Sequence, residues 1–535
     1  MCCYDEINGV RACGNSYILN EVIREQWGMQ DVLIGTDWGA MPHGLPVSSA
    51  AQALNAGVDL EMGSQLFTYN LGLAIGLGLT TEAKVDAAWR RAYTQLFAAG
   101  RFDPPESVAW ASLGLEAVNS SAHRHVTHEA ALQGFVLLRN EGVLPLRKGA
   151  KIAVVGPMGV ERTGMMPDCA RRWSRTRAAL PVQPTPSPAA APRADGNGWW
   201  RKQNACYNYA HPGTQGDPGK SGRQGDPYCV PTIAASVARA NAGGETAVAM
   251  GVELSKGHPD PAHKSADAAA ALRLCAAAEV VVLALGIGHA EEMEGKDRTD
   301  TALPSEQAAF ATQVLGLGKP TVLVLVNGGA LAIDELLTAK PHGPGAVVEA
   351  FNVAFGAPAL AATLFGDENR WGKLPVTLYP HSFVTENPMD NMDMARPPGR
   401  TYKYYTGAPL FPFGHGLSYT NFTLGCTGNA TALPIATTCV VANTGAMDGD
   451  EVVLVYHVAG DDVRAQAKHP VPRRALVNFE RVRVAAGAKE SVTFVLTKDD
   501  VLLVDELGKD RLYSGKHTIV FSRGHGEEVS LELTV

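Results

Sequence analysis

The stretch Asp31-Val32-Leu33-Ile34-Gly35-Thr36-Asp37-Trp38-Gly39-Ala40 is the most informative part of this chain. A short apolar run, typical of a buried strand, ends at Asp37, and Trp38 and Gly39 follow it. In a barrel of parallel strands, the residue just past the C-terminal end of a strand faces the mouth of the barrel, where active sites lie. An acid held there rigidly and partly desolvated suits a nucleophile. The alternative is that Asp37 only caps the following helix, and this stretch alone does not separate the two interpretations.

The segments on either side of this stretch carry further motifs. Upstream lies the turn Tyr4-Asp5-Glu6-Ile7-Asn8-Gly9, and downstream lies Ala56-Gly57-Val58-Asp59. Their order resembles glycoside hydrolase family 3, the β-glucosidases and β-xylosidases, although Asp5 stands where the family usually has Asn. In that family these motifs mark the last three strands of a (β/α)8 barrel. The resemblance implies that Asp37 is the nucleophile and that Tyr4 and Trp38 line the site for the terminal sugar, because a phenol and an aromatic face suit a sugar ring. Ordinary packing at the barrel rim is the alternative for these two aromatic residues.

A second segment with candidate catalytic residues follows the apolar run 280–285. The segment Gly286-Ile287-Gly288-His289-Ala290-Glu291-Glu292-Met293-Glu294-Gly295-Lys296-Asp297-Arg298 is a glycine-punctuated acidic loop. It resembles the Glu-x-Glu-Gly-x-Asp-Arg loop of the family's xylosidase-like branch, which implies that Glu294 is the acid/base. The alternative is a solvated charged turn, the usual setting of charged residues. A dinucleotide-binding turn is excluded, because Glu291 replaces the third glycine and three acids would repel a pyrophosphate.

Composition limits the class of protein. The 535 residues, 46% of them apolar and 19% charged, can bury two or three cores. The longest apolar runs are far shorter than the roughly 20 residues that span a bilayer. A net charge of −8 and a pI near 6.0 argue against nucleic acids and anionic membranes as partners. The His123-Arg124-His125 cluster lacks the spacing of a metal site and favours a polar helix start. We expect neither a metal nor an organic cofactor.

Patterning along the rest of the chain predicts an α/β protein with further domains. Buried-type runs alternate with Ala-rich helical segments in the middle of the chain, as in a parallel sheet. Short β-rich segments at regular spacing follow, as in a β-sandwich. The expected organisation is a partial (β/α)8 barrel of its last three βα units at 1–105, a linker at 106–127, an α/β sandwich domain at 128–408 with a Pro-rich disordered insert at about 159–204, and a fibronectin type III-like domain at 409–535.

One family signature departs from its usual form in this chain. The segment Gly366-Asp367-Glu368-Asn369-Arg370-Trp371-Gly372-Lys373-Leu374-Pro375 resembles the family's Gly-Asx-x-Asn-Pro-x-Gly-Lys-Leu-Pro. Arg370 replaces Pro, and Trp371 replaces a small residue. We expect this segment to serve packing and domain joining more than chemistry.

The start of the chain departs further from the resembled family. The first five βα units of the barrel and a secretory leader have no counterpart, so we expect an N-terminally truncated chain that is weakly active or inactive. The resemblance nevertheless implies an extracellular protein. In that setting Cys2 or Cys3 could pair with Cys13, and Cys426 with Cys439.

The expected function is that of a retaining exo-β-glycosidase acting on plant cell-wall oligosaccharides, in xylan or arabinan catabolism. Its two carboxyls are expected about 5–5.5 Å apart. Thr36-Asp37-Trp38-Gly39-Ala40 is glucosidase-like, whereas Glu292-Met293-Glu294-Gly295-Lys296-Asp297-Arg298 is closer to xylosidases and arabinofuranosidases, and we favour xylose over glucose. The alternatives are a β-glucosidase, or an inactive remnant with a structural or carbohydrate-binding role. The expected partner is an oligosaccharide or aryl glycoside, and a homodimer is left open.

Overall fold

The computed structural model describes residues 1–114, 117, 120–161, 230–254, 266–288, 291–293, 296–339, 342–428, 433–526 and 528–535. The chain divides into two compact units, Met1–Val118 and Asn119–Val535. From residue 162 onward, the predicted insert at about 159–204 lies outside the described residues.

The first unit contains three parallel chain segments and the helices that follow them. Parallel bridges join Cys2 to Thr36 and Gly35 to Leu60. This parallel arrangement is what three successive barrel strands require. The other elements of the unit are short antiparallel strands Glu6–Ile7 and Val10–Arg11, a π-helix Tyr17–Gln26, 3₁₀ turns Ala12–Gly14 and Pro105–Ser107, and helices α1 (Pro46–Ala56), α2 (Leu66–Gly76) and α3 (Glu82–Ala98).

Local sequence explains where these helices begin and end. Helix α1 starts with Pro46 in its first turn, where a missing N–H costs nothing, and ends at Gly57, which adopts φ +110°. Helix α3 leaves several of its apolar residues exposed, among them Trp89 at 56%. A disulfide bond joins Cys2 to Cys13, one of the pairings left open from the sequence.

The second unit begins with an α/β domain around a mixed sheet. Among the described residues, six strands form this sheet in the order β1-β6-β5-β4-β2-β3. All neighbouring pairs are parallel except β1 and β6. The strands are β1 (Val136–Asn140), β2 (Lys151–Val155), β3 (Glu245–Ala249), β4 (Val280–Gly286), β5 (Thr321–Val326) and β6 (Ala346–Glu349).

Helices cover both faces of this sheet. Strands β4 and β5 are buried along their whole length, and alternate residues enter two separate hydrophobic clusters, one on each face. Continuous Val- and Leu-rich runs are therefore explained by two-sided burial. The helices are α4 (Ser121–Gly134), α5 (Ile233–Ala240), α6 (Ala268–Ala277), α7 (Ser305–Gly316), α8 (Asp334–Leu337), α9 (Ala357–Leu364), α10 (Phe383–Glu386) and α11 (Thr401–Tyr404).

Helix α4 begins inside the segment predicted as a linker. Ser120 caps it by accepting a hydrogen bond from the N–H of His123 at 3.3 Å. The histidine cluster is thus the polar start of a helix, as the sequence favoured.

The last domain is a β-sandwich, as predicted. In the described part of the chain a three-stranded sheet of order β11-β8-β7 accompanies a four-stranded sheet of order β10-β9-β12-β13. A disulfide bond joins Cys426 to Cys439, which face each other across β7 and β8. The elements are β7 (Phe422–Gly428), β8 (Ile435–Asn443), β9 (Gly449–Ala459), α12 (Asp461–Gln466), β10 (Ala475–Val484), β11 (Lys489–Leu496), β12 (Lys516–Ser522) and β13 (Val529–Thr534).

No helix within the described ranges is both long enough and apolar enough to cross a membrane.

A buried histidine pair in the sandwich makes its stability depend on pH. His457 Nε2 lies 2.9 Å from His517 Nδ1, and His517 Nε2 lies 3.0 Å from the carbonyl of Tyr513. A carbonyl only accepts, so His517 Nε2 donates to it and His517 Nδ1 accepts from a neutral His457. Burial, with a further contribution from His517, lowers the pKa of His457 to about 4.

We expect the sandwich to lose about 3 kcal/mol of unfolding free energy from this residue as the pH falls from 6.5 to 4. The unfolded chain binds a proton in this window that the folded chain excludes, so stability present above pH 6.5 is lost on acidification. Urea unfolding across this range should show a shallower pH slope for H457Q than for the wild type. H342Q, at an exposed histidine, is the control. Equal slopes for H457Q and the wild type would contradict the expectation.

Candidate active site

Asp37 occupies the end of a parallel segment in the first unit and is half-buried. Its N–H donates to the carbonyl of Cys2 at 2.8 Å, and its own carbonyl accepts from Ala40 N at 3.1 Å. The N–H of Trp38 donates to Asp37 Oδ1 at 2.6 Å and orients the carboxylate. The alternative that Asp37 caps the next helix is wrong, because α1 begins at Pro46 with Leu45 in the cap position.

Two aromatic residues, Tyr4 and Trp38, are linked to each other next to Asp37. Tyr4 Oη donates to the carbonyl of Trp38 at 2.7 Å. The Trp38 ring lies against Gly63, where a Cβ atom would overlap it. Tyr4 is 46% and Trp38 57% exposed, so neither ring is core packing. The structure thus brings together the three residues of this unit that the sequence singled out.

Asp59 is the residue of this region whose role the sequence analysis missed. Its side chain is fully buried, and its Oδ2 accepts from Arg24 Nη2 at 2.8 Å and from Ile34 N at 2.9 Å. Its Oδ1 accepts from Arg91 Nε at 2.8 Å. Burial lowers the pKa of Arg24, and the charge of Asp59 opposes this effect. One carboxylate therefore ties the π-helix and α3 to the segment that ends in Asp37.

The acidic loop of the second unit starts from a rigid base. Gln307, on α7, is fully buried and clamps Gly286, the last residue of β4. Its Oε1 accepts from Gly286 N at 3.0 Å, and its Nε2 donates to Gly286 O at 2.8 Å and to Leu254 O at 2.6 Å. A Cβ atom at Gly286 would overlap the carbonyl of Val326, so only glycine fits there.

Two acids of the loop that precede Glu294 are engaged in hydrogen bonds. Glu291 Oε2 accepts from Gly288 N at 2.8 Å, an N–H that a pyrophosphate would have needed. Glu292 Oε2 pairs with Arg298 Nε at 2.7 Å.

One side-chain hydrogen bond and two backbone hydrogen bonds hold the rest of this segment. Arg298 Nη2 donates to Ala330 O at 3.0 Å. Met293 and Lys296 exchange two backbone hydrogen bonds, of 3.1 and 2.9 Å. Glu294 itself lies outside the described residues, so its role as acid/base stays a prediction.

The unusual Arg370-Trp371 pair joins the α/β domain to the sandwich. Trp371 is 2% exposed, and its ring meets Tyr419 edge-on at 5.6 Å between centroids. Arg370 Nη1 contacts Glu129 Oε2 on α4 at 2.6 Å, and its Nε contacts Asp450 Oδ2 on β9 at 3.3 Å. These contacts agree with the packing role expected for this segment.

Within the described ranges, no group of three or more His, Cys, Asp or Glu side chains is arranged to hold a metal ion.

Family models match most of the described chain. The glycosyl hydrolase family 3 C-terminal domain matches residues 135–419, the family 3 N-terminal domain matches 1–94, and a fibronectin type III-like domain matches 451–523. The last of these agrees with the β-sandwich described above.

Two exo-1,4-β-xylosidases are similar in sequence to nearly the whole of this chain. A probable exo-1,4-β-xylosidase from Neosartorya fischeri is 30% identical over the whole of this chain and 65% of its own length. An exo-1,4-β-xylosidase from Emericella nidulans is 30% identical over 97% of this chain and 63% of its own length. The chain therefore spans a little under two thirds of these relatives.

Solved structures share the fold. A family 3 exo-β-xylosidase in complex with a xylobiose aziridine probe has a TM-score of 0.78 at 23% identity, covering 99% of this chain and 64% of that one. A β-glucosidase from Erythrobacter marinus has a TM-score of 0.73 at 27% identity, covering 98% and 66%. Because the C-terminal domain model alone matches residues 135–419, more than half of the sequence, the chain belongs to glycoside hydrolase family 3.

Proposed function

We propose that this protein is a retaining exo-β-glycosidase that releases terminal β-linked xylose from plant cell-wall oligosaccharides. The observation that carries the proposal is the setting of Asp37, which is held at the end of a parallel segment beside the exposed rings of Tyr4 and Trp38. An oriented, half-buried carboxylate beside aromatic faces is suited to attack on a bound sugar.

The proposed reaction has two displacements at the anomeric carbon. Asp37 forms an ester with this carbon while Glu294 gives its proton to the departing glycosidic oxygen. Glu294, now a carboxylate, takes a proton from water, and the resulting hydroxide breaks the ester and regenerates Asp37. The proposal for Glu294 is supported by its place between Met293 and Lys296, whose backbones are paired, and by the engagement of Glu291 and Glu292 elsewhere.

The proposed sugar is xylose, with glucose as the alternative. Exo-1,4-β-xylosidases among the relatives favour xylose, whereas β-glucosidases occur among the solved structures that share the fold. The proposed setting is extracellular, and the disulfides Cys2–Cys13 and Cys426–Cys439 support an oxidising compartment.

We expect kcat/KM for an aryl β-xyloside to exceed that for the matching β-glucoside by about tenfold or more. A pocket fitted to xylose has no room for the extra hydroxymethyl group, and a difference of this size is worth about 1–3 kcal/mol. Initial rates with both substrates test this. Stoichiometric labelling by xylo- and gluco-configured aziridine probes, read by intact mass, provides the second measurement.

Two outcomes would go against this assignment. Faster reaction with the gluco-configured substrate and probe would replace xylose with glucose. Absence of both hydrolysis and labelling would overturn the proposed activity and favour a non-catalytic role.

A further inference from the structure

A carboxyl group that has no counter-charge among the described residues is buried at the C-terminal end of β6. Glu349, the last residue of β6, is 0% exposed. Its Oε1 accepts from Phe351 N at 3.1 Å, and its Oε2 has no hydrogen-bond partner among the described residues. Burial raises the pKa of Glu349 to about 8, against the opposing effects of the Phe351 N–H and the Asn327 amide. Burial therefore favours the neutral form of the Glu349 carboxyl group.

Asn327, which lies near Glu349, also has an oxygen without a hydrogen-bond partner among the described residues. Asn327 directly follows β5, which pairs with β6, and its amide interacts with the Glu349 carboxyl. Asn327 Nδ2 donates to Gly329 O at 3.0 Å, while its Oδ1 lacks a partner in the described part of the chain.

A proton on Glu349 supplies a hydrogen-bond donor that a carboxylate lacks. A carboxylic acid and a primary amide can exchange two hydrogen bonds, the acid O–H donating to the amide oxygen and an amide N–H donating to the acid carbonyl. A carboxylate has no donor to offer Asn327 Oδ1, and a buried acceptor without a donor costs about 1–3 kcal/mol.

The turn held by Asn327 supports the acidic loop. A Cβ atom at Gly329 would lie 2.5 Å from Glu292 Oε2 and 2.6 Å from Arg298 Nη2. The ion pair between these two side chains therefore rests directly on Gly329. Glu292 and Arg298 stand on either side of Glu294 in the chain.

We infer that Glu349 is a protonated positioning residue that holds Asn327 and, through it, the Gly328–Gly329 turn on which the Glu292–Arg298 ion pair of the acidic loop rests. In the described part of this region, the charged groups next to the turn are Glu292 and Arg298, from the segment after β4. The segment after β5 contributes the neutral Asn327, and the segment after β6 the neutral Phe351 and Asn352. The catalytic meaning of this chain of contacts rests on the proposed role of Glu294; the contacts themselves do not.

The first test measures hydrogen exchange in the acidic loop and does not depend on catalytic activity. Hydrogen exchange of peptides covering residues 286–300 is compared at pH 7 in the wild type, E349Q, E349L and G329A. Gln keeps an N–H donor and a carbonyl acceptor, so E349Q should match the wild type, whereas E349L should raise exchange about tenfold, as expected for a lost buried hydrogen bond. G329A displaces the ion pair and should raise loop exchange with Glu349 intact. E335Q, at an exposed glutamate in the same domain, is the matched control.

The second test uses pH, because a purely structural side chain would not change with it. In the wild type, loop exchange corrected for the intrinsic rate should rise above pH 8, and in E349Q it should not. Where hydrolysis is measurable, the wild type should lose kcat above pH 8 with KM nearly constant, and E349Q should lack this alkaline loss.

The inference fails if E349L lowers the melting temperature but leaves loop exchange unchanged. It also fails if E349Q behaves like E349L, since the proton would then have no special role. A failure of the proposed glycosidase activity leaves the exchange results standing, so the two failures are distinguishable.

Discussion

Replacing Asp37 by Asn is expected to abolish labelling by a xylo-configured aziridine probe and to lower kcat/KM for an aryl β-xyloside by at least about a thousandfold. The amide cannot form the glycosyl ester, yet it can still accept the hydrogen bond that Trp38 N donates to Oδ1 at 2.6 Å. The loss would therefore report chemistry rather than altered structure. Intact mass and initial rates measure it.

The matched control for this substitution is D86N, which makes the same change on the exposed face of α3. A D37A variant should recover turnover when azide is added, because a small anion can occupy the space of the missing carboxylate and attack the sugar. Labelling of D37N at the wild-type rate would show that another residue is the nucleophile.

Burial on both faces made the strands of the α/β domain predictable. The sequence predicted buried-type runs in the middle of the chain, and the structure has them as β4 (Val280–Gly286), β5 (Thr321–Val326) and β6 (Ala346–Glu349). Each is a short β-rich run that must be apolar on both sides, and this requirement leaves a clear mark in the sequence. The apolar pattern does not show the direction of a strand. The sequence pattern predicts a parallel sheet, but β1 is antiparallel to β6.

The immediate setting of Asp37 was also predictable, because Trp38 is its neighbour in the chain and Tyr4 belongs to a motif that the family resemblance identifies. Asp59 and Glu349 were different. Asp59 meets Arg24 and Arg91, and Glu349 meets Asn327, only after the chain has folded. Neither set of contacts leaves a recognisable motif in the sequence, so the residues that support a site are harder to predict than those proposed to perform its chemistry.

Replacing Asp59 by Asn is expected to destabilise the first unit by about 3–5 kcal/mol, the cost of leaving buried charges unpaired. Arg24 is 5% exposed and would keep its charge without a counter-ion, and Arg91 would lose the partner it contacts at 2.8 Å. Hydrogen exchange separates the units: peptides from 17–36 should lose protection, while peptides from 321–349 serve as the internal reference. The control is E6Q, because Glu6 pairs with Arg11 at 3.6 Å on the surface, where an ion pair is worth at most about 1 kcal/mol.

The same substitution also tests how the fold supports the proposed nucleophile. Asp59 Oδ2 accepts from Ile34 N in the segment that leads to Asp37, so D59N should slow probe labelling even under conditions where the unit stays folded. If D59N loses no more stability than E6Q, the buried ion pairs are not what holds this unit together. If labelling is unchanged although stability falls, the position of Asp37 depends on its backbone bonds to Cys2 and Ala40 alone.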